Sequence, residues 1–307
     1  MSAELEHKLE RIPVIKHLVR LGKSIRLPYS EGLTLYHLIE LYFTGIINGD
    51  LSYRAGAIAF SFFMSLFPFT LFLLNLVPYV PVPGFREDLL SFIQDNVPPN
   101  TYDAIYKIID DITKTSYSSL LSFGIFLAIL LMSNGMNAIL SGFQSSLHIT
   151  IKRPFFRQYA LAIVLSLMLT VLLIVTVSAI VTLEVIIQSL NKRGFFENVD
   201  LLRVGRYAFL VMMILMTTSI LFKFAAKETK GAAFFSYGSV FSTILFGITS
   251  YIFGIWVVRF AQYNELYGSI GTLLVLMLYI WINCFILLLG FELNALIHKL
   301  KRKNLYI

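Results

Sequence analysis

The chain has 307 residues, of which 57% are hydrophobic and only 14% charged, with a formal net charge of +7. A soluble globular domain carries about 25% charged residues, so a soluble fold around one large core is excluded and the composition is that of a polytopic membrane protein. The single cysteine, Cys284, rules out an intramolecular disulfide and a cysteine-built metal site.

Residues 1–32 carry Lys8, Arg11, Lys16, Arg20, Lys23 and Arg26 between Leu5, Leu9, Ile12, Ile15, Leu18 and Val19. The spacing fits basic amphipathic helices on an anionic cytoplasmic leaflet, and equally a solvated tail. Residues 33–49 are apolar but too interrupted to span, and read as an interfacial helix leading to Arg54. No cleavable signal peptide is expected, because the first apolar run is too long and lacks a small-residue cleavage site.

That run is the stretch around which the chain is organised. Ala55 to Val80 contains no Asp, Glu, Lys, Arg or His, and at about 1.5 Å per residue it exceeds a hydrocarbon core of about 30 Å. Pro68 lies in its middle, Ser61, Ser65 and Asn75 lie inside it, and Arg54 stands at its entrance. Pro68 removes a backbone donor and frees the carbonyl near Met64, which neighbouring helices or hydroxyls such as Ser61 and Ser65 are expected to satisfy. The span is either a kinked structural helix or one bent to line a cavity.

Pro78, Pro81, Pro83 and Gly84 end the helix. An extracytoplasmic loop follows at 81–118, with two short amphipathic helices separated by Pro98-Pro99. In the second, Ala104, Ile105, Ile108, Ile109 and Ile112 recur at helical spacing. Further spans are expected at 119–141, 159–186, 204–226, 232–258 and 268–297. With the first, at 55–80, they make six in an all-α membrane helical bundle. The organisation is then a cytoplasmic segment at 1–50, a membrane domain at 51–298 and a basic tail at 299–307. Counting Lys and Arg with both termini in the cytoplasm puts 17 inside and 7 outside, with Arg206 at a span edge. This is the positive-inside bias.

An ionisable residue within a span costs a few kcal/mol and is by default a candidate site. Glu292 lies in the last span, with Asn294 after it and Asn283 about three turns before. Arg54 opens the first span from the same side, so the two charges are expected at one depth, as an ion pair or a shared polar cavity. Arg54, Glu292, Asn294 and Asn283 are therefore the candidate polar site, for transport or as a structural clamp between first and last helices. Glu184 and Arg206 are an outer pair on adjacent helices, read as a structural pair or as two snorkelling side chains. Ser133, Asn134 and Asn137 fit interhelical hydrogen bonding, and Ser250 with Gly254 fits a small-residue packing face. Pro68, Gly268 and Gly271 are candidate kink or hinge positions.

The histidines are scattered without ligand spacing, and no P-loop, GxSxG or HExxH is present. No metal, no cofactor and no nucleic-acid partner is expected. The basic residues lie mostly at short cytoplasmic edges, which the topology already explains.

LSYRAGAIAFSFFMSLFPFTLFLL resembles the first-span signature of the YihY/BrkB family, an Arg and small residues ahead of a Ser-Leu-Phe-Pro run. YGSIGTLLVLMLYIWINCFILLLGFELNALI resembles its closing signature, Tyr-Gly-Ser-x-Gly followed by Gly-x-Glu-Leu-Asn-Ala. The resemblance covers roughly residues 35–300 and marks Arg54, Ser65, Pro68, Tyr267, Gly268, Gly271, Glu292 and Asn294. It implies a bacterial inner-membrane protein with six spans and no settled activity. Members have been called ribonuclease BN, a name regarded as a misassignment, and some are suspected of moving lipids or envelope precursors.

The leading expectation is a non-enzymatic protein that moves or exposes a lipid-like or anionic amphiphile, with membrane lipids as partners. A non-transporting scaffold that meets envelope-assembly proteins is the alternative, and a membrane-bound ribonuclease is a distant third. A homo-oligomer is compatible with either of the first two.

Overall fold

The computed structural model describes residues 42, 50–76, 90, 106, 118–149, 151–192, 199–225, 234–260 and 269–304. Among them are six long helices: α1 (Leu51–Leu76), α2 (Ser118–Gln144), α3 (Phe155–Lys192), α4 (Val199–Ala225), α5 (Tyr237–Phe260) and α6 (Ser269–Asn304). The protein is an all-α membrane bundle. The basic segment at 1–32, the interfacial helix at 33–49 (Tyr42 excepted) and nearly all of the loop at 81–118 lie outside the described residues.

Five helices are long and apolar enough to cross a membrane, over Gly124–Gln144, Phe155–Ile180, Val204–Ala225, Tyr237–Trp256 and Leu273–Leu300. The sixth, α1, has 26 residues, or about 39 Å at the helical rise. From Ala55 to Leu76 it carries no Asp, Glu, Lys or Arg.

The helix ends differ from the sequence reading for local reasons. α5 starts at Tyr237 rather than 232, because Ser236 caps it. Ser239 N donates to Ser236 Oγ at 3.2 Å, and Ser236 N donates to Ser239 Oγ at 3.0 Å. This is a capping box with serine in the place of glutamate. α3 begins directly after Pro154 and runs 38 residues, and α6 runs 36, so both continue well beyond an apolar window. At the start of α1, Asp50 holds a left-handed φ of 47° and accepts the Arg54 N–H at 3.0 Å. Asp tolerates that conformation better than most residues.

The chain divides into two compact units. The first takes in Leu51–Ala59 of α1, the end of α2 with the segment to Pro154, α4 from Thr218, and α5 and α6. Its core is aromatic. Phe143 stacks on Phe291 with centroids 4.3 Å apart, and Phe222 meets both edge-on at 5.7 and 6.0 Å. Offset stacking and edge-to-face contact suit the ring quadrupoles.

The second unit holds the rest of α1, α2 up to Ala138, α3, and α4 up to Thr217. Phe72, Ala128 and Met132 form its core, with Phe69, Ile125, Ile129 and Leu167 around them. Pro68 lies inside an otherwise continuous α1. The Ser65 hydroxyl donates to the Ser61 carbonyl at 2.8 Å, its i−4 partner on the same helix, and so is not the group that meets the carbonyl near Met64. Gly135 on α2 admits this stretch of α1: a Cβ there would stand 3.0 Å from the Ser65 side chain.

Candidate polar site joining the first and last helices

Arg54 sits on the first turn of α1 and Glu292 deep in α6, 238 residues apart in sequence. Arg54 Nη1 donates to Glu292 Oε1 at 2.7 Å. Both are buried, with 8% and 1% of their surface exposed. Moving each ion out of water costs several kcal/mol even after relaxation, and mutual attraction offsets this only with further hydrogen bonds. Two are present. Arg54 Nη2 donates to the Gly142 carbonyl at 2.6 Å, and Ser146 Oγ donates to Glu292 Oε2 at 2.6 Å. Each carboxylate oxygen thus accepts a bond from a different element.

The end of α2 is shaped for this. Gly142 has no side chain, so Ile58 packs against it and α1 comes close enough for Arg54 to reach the Gly142 carbonyl. Ser146 follows the last turn of α2. Its N–H donates to the Phe143 carbonyl at 3.2 Å, while its hydroxyl accepts the His148 N–H, also at 3.2 Å. Tyr42 adds a further strut, its hydroxyl donating to the Leu289 carbonyl at 2.9 Å.

His148 is half-buried outside the spans. Burial pushes its pKa below the usual histidine value; the Glu292 charge opposes that fall and the Lys299 charge adds to it. Arg153 binds the α4 C-terminus at the Ala225 carbonyl, and burial lowers its pKa too. A cation there complements the exposed carbonyls of a helix end.

The other candidate residues go elsewhere. Asn294 is buried, but its Oδ1 accepts the Gly238 N–H at 2.8 Å and its Nδ2 donates to Ser236 Oγ at 2.7 Å. It ties α6 to the first turn of α5 and is not joined to the Arg54–Glu292 pair. Asn283 donates to the Tyr279 carbonyl one turn back on its own helix at 2.7 Å. Arg206 is half-buried on α4, and its side chain makes further interactions. Glu184 lies on α3 with its side chain outside the described residues, so the outer pair is not described. Gly271 is buried near the start of α6, and Gly268 is outside the described residues.

The α2 polar residues meet α3. Tyr159 Oη shares its proton between Asn134 Oδ1 and the Leu130 carbonyl, each at 3.0 Å, and Gln158 Nε2 donates to Asn137 Oδ1 at 2.9 Å. Ser133 turns back onto the Ile129 carbonyl at 2.7 Å. Ser250 and Gly254 do not form a packing face within the chain. Ser250 is exposed and bonds Tyr279 at 2.9 Å, and nothing lies within 4 Å of a Cβ built on Gly254.

Sequence reasoning missed Ser146, Gly142 and Tyr42. One hydroxyl in a Gln-Ser-Ser-Leu-His run and one glycine at a helix end are common, and neither has a local signal. Among the described residues, no three of His, Cys, Asp and Glu gather where they could hold a metal ion.

The helices and the buried ion pair define a polytopic helical membrane protein. The chain belongs to the family described as virulence factor BrkB, whose model matches residues 42–305. It is 30% identical over 255 residues to the ribonuclease-like protein YfkH of Bacillus subtilis (strain 168), covering 81% of this chain and 90% of that one. It is 26% identical over 267 residues to a UPF0761 membrane protein of Pseudoalteromonas translucida (strain TAC 125), covering 83% and 84%. With a UPF0761 membrane protein of Aggregatibacter aphrophilus (strain NJ8700) it shares 22% over 261 residues, covering 84% and 91%. No solved structure matches the chain.

Proposed function

We propose that this chain is a non-enzymatic transport protein of the bacterial inner membrane, with six spans and both termini in the cytoplasm, that moves or exposes a lipid-like or anionic amphiphile. α1 is the sixth span in this reading. The observation that carries it is the buried Arg54–Glu292 pair. A charge pair within a bundle is costly, and intramembrane charges characteristically mark substrate or ion paths. Arg54 is the residue we assign to an anionic headgroup, because a guanidinium fork matches phosphate and carboxylate geometry. Membrane lipids are the partner class. No cofactor or nucleic acid enters the reading.

The second reading is a non-transporting scaffold for envelope assembly. What favours it is the bonding of the pair, since both carboxylate oxygens and both terminal guanidinium nitrogens already have partners. A clamp between first and last helices would look the same.

Proteoliposomes distinguish the two. Fluorescent phosphatidylserine and a lipid-linked anionic precursor are offered to wild type, Glu292→Gln and Arg54→Gln. Transport predicts that wild type exposes label faster than empty liposomes and that folded Arg54→Gln does not. Monodisperse wild type that matches empty liposomes sinks the transport reading and leaves the scaffold.

A further inference from the structure

We infer that Glu292 is a built-in stand-in for the transported anion, so that an anionic headgroup reaches Arg54 only when Glu292 takes up a proton. The inference rests on the transport reading above and adds its coupling: one proton taken up by Glu292 for each anion admitted.

Charge has to balance in a buried place. A guanidinium as enclosed as Arg54 needs one anion beside it, because an uncompensated buried charge is among the most destabilising features a fold can hold. In the described state Glu292 Oε1 supplies that anion. A second anion cannot join while the carboxylate remains, since two like charges would share one cation. Removal of the carboxylate's charge opens the position at Nη1. The incoming oxyanion then restores neutrality, and the Glu292 oxygen carries the proton as a carboxylic acid. No bond to carbon is made or broken.

The surrounding bonds suit both states. Arg54 Nη2 stays on the Gly142 carbonyl, which holds the guanidinium in place while its other nitrogen changes partner. Ser146 Oγ donates to Glu292 Oε2, and a neutral carboxyl keeps the acceptor capacity for that bond. Ser146 itself is fixed by the His148 N–H. Neither bond requires Glu292 to be ionised.

Other titratable and charged groups lie on the elements of the same unit. Tyr42 lies ahead of α1, His148 and Arg153 follow α2, and α6 carries His298 and Lys299 beyond Glu292. α4 adds Lys223, whose Nζ lies 5.5 Å from the Phe234 ring centroid. α5 adds Tyr237, Tyr251 and, in its last turn, Arg259. Of these, His148 and His298 could also take a proton when an anion binds, so the test must separate them from Glu292.

The test is calorimetric binding to the full-length protein in detergent, repeated in buffers of different ionisation enthalpy so that protons taken up are counted. The probes are dihexanoyl phosphatidate, dihexanoyl phosphatidylcholine and inorganic phosphate. We expect wild type to take up about one proton per phosphatidate bound and none with phosphatidylcholine. The His148→Gln/His298→Gln variant keeps that count, and Glu292→Gln binds phosphatidate with no proton uptake. Phosphatidate binding without proton uptake by wild type overturns the inference, as does loss of uptake in the double-histidine variant, and so does the absence of any binding. If Glu292→Gln fails to fold, wild type and the double-histidine variant still decide. Proton-linked binding with no movement of label in proteoliposomes sustains the inference about the site and defeats transport. Inorganic phosphate giving the same count while phosphatidate is inert sustains the exchange and replaces the lipid with a free anion.

Discussion

Gly238 in the first turn of α5 and Gly290 in α6 face one another with no room for a side chain on either. A Cβ on Gly290 would stand 2.7 Å from the Gly238 carbonyl oxygen and would also strike Ser242 Oγ, while one on Gly238 would strike the Gly290 carbonyl oxygen. Asn294, one turn further along α6, takes the Gly238 N–H, and Ser242 Oγ donates to the Ile286 carbonyl at 3.3 Å. Without a hydrophobic drive between helices in lipid, close backbone approach and such bonds are what hold two helices together. Glu292 lies two residues beyond Gly290, so the same contact sets its depth and direction.

Gly290→Ala and Gly238→Ala are therefore expected to lower thermal stability in detergent by the equivalent of about 1–3 kcal/mol, the usual cost of forcing a methyl group into a filled place. Gly254→Ala, with open space around it, is expected to be neutral or slightly stabilising through helix propensity. A thermal-shift series on the three variants checks this, and equal losses at all three would contradict the packing described.

Single neutralisation of the buried pair, Arg54→Gln or Glu292→Gln, should cost about 3–5 kcal/mol, because each leaves one buried charge without its partner. The double variant should recover part of that loss. The coupling energy from a double-mutant cycle of melting temperatures measures it, and strict additivity would show that the two groups do not interact.

Ser146→Ala removes the donor to Glu292 Oε2 and should cost about 1.5–3 kcal/mol, the range for a hydrogen bond to a charged group. The loss should shrink to about 0.5–1.5 kcal/mol in a Glu292→Gln/Arg54→Gln background, where the hydroxyl has only a neutral amide to bond. Unchanged loss in that background would assign Ser146 to the His148 turn alone.

His148 sets a pH dependence. Its pKa is lowered on folding, chiefly by burial. The unfolded chain then binds more protons than the folded one as pH falls below the ordinary histidine value of about 6.5, so stability declines from there until the folded-state pKa is passed. Melting temperature should fall between pH 7 and pH 5, and His148→Gln should flatten that slope. A variant with the wild-type slope would exclude His148 as its source.

In the second unit, Tyr159→Phe breaks the bond to Asn134 and should cost about 0.6 kcal/mol, the mean for interhelical hydrogen bonds in membrane proteins. Phe72→Ala in the apolar core nearby should cost about 3–5 kcal/mol. Chemical unfolding in mixed micelles ranks the pair, and the reverse order would place more of this unit's stability in polar contacts than its packing suggests.

The amino-acid sequence by itself determined the class of this protein and the course of its helices. Charge is scarce and apolar residues run in long blocks, and both properties are local, so they survive without knowledge of any partner. Depth was legible for the same reason: counting residues from Arg54 and Glu292 to the ends of their helices puts them at one level, and the structure brings their side chains together. Azimuth was not legible. Asn294 is only two residues from Glu292, yet successive helical residues turn by about 100°, and it faces α5 instead of Arg54. Gly142, Ser146 and Ser236 are short residues without a pattern of their own. Their roles as carbonyl, donor and cap were decided by the tertiary structure, because each depends on which helix comes within about 3 Å, and that proximity is a product of packing that no local spacing encodes.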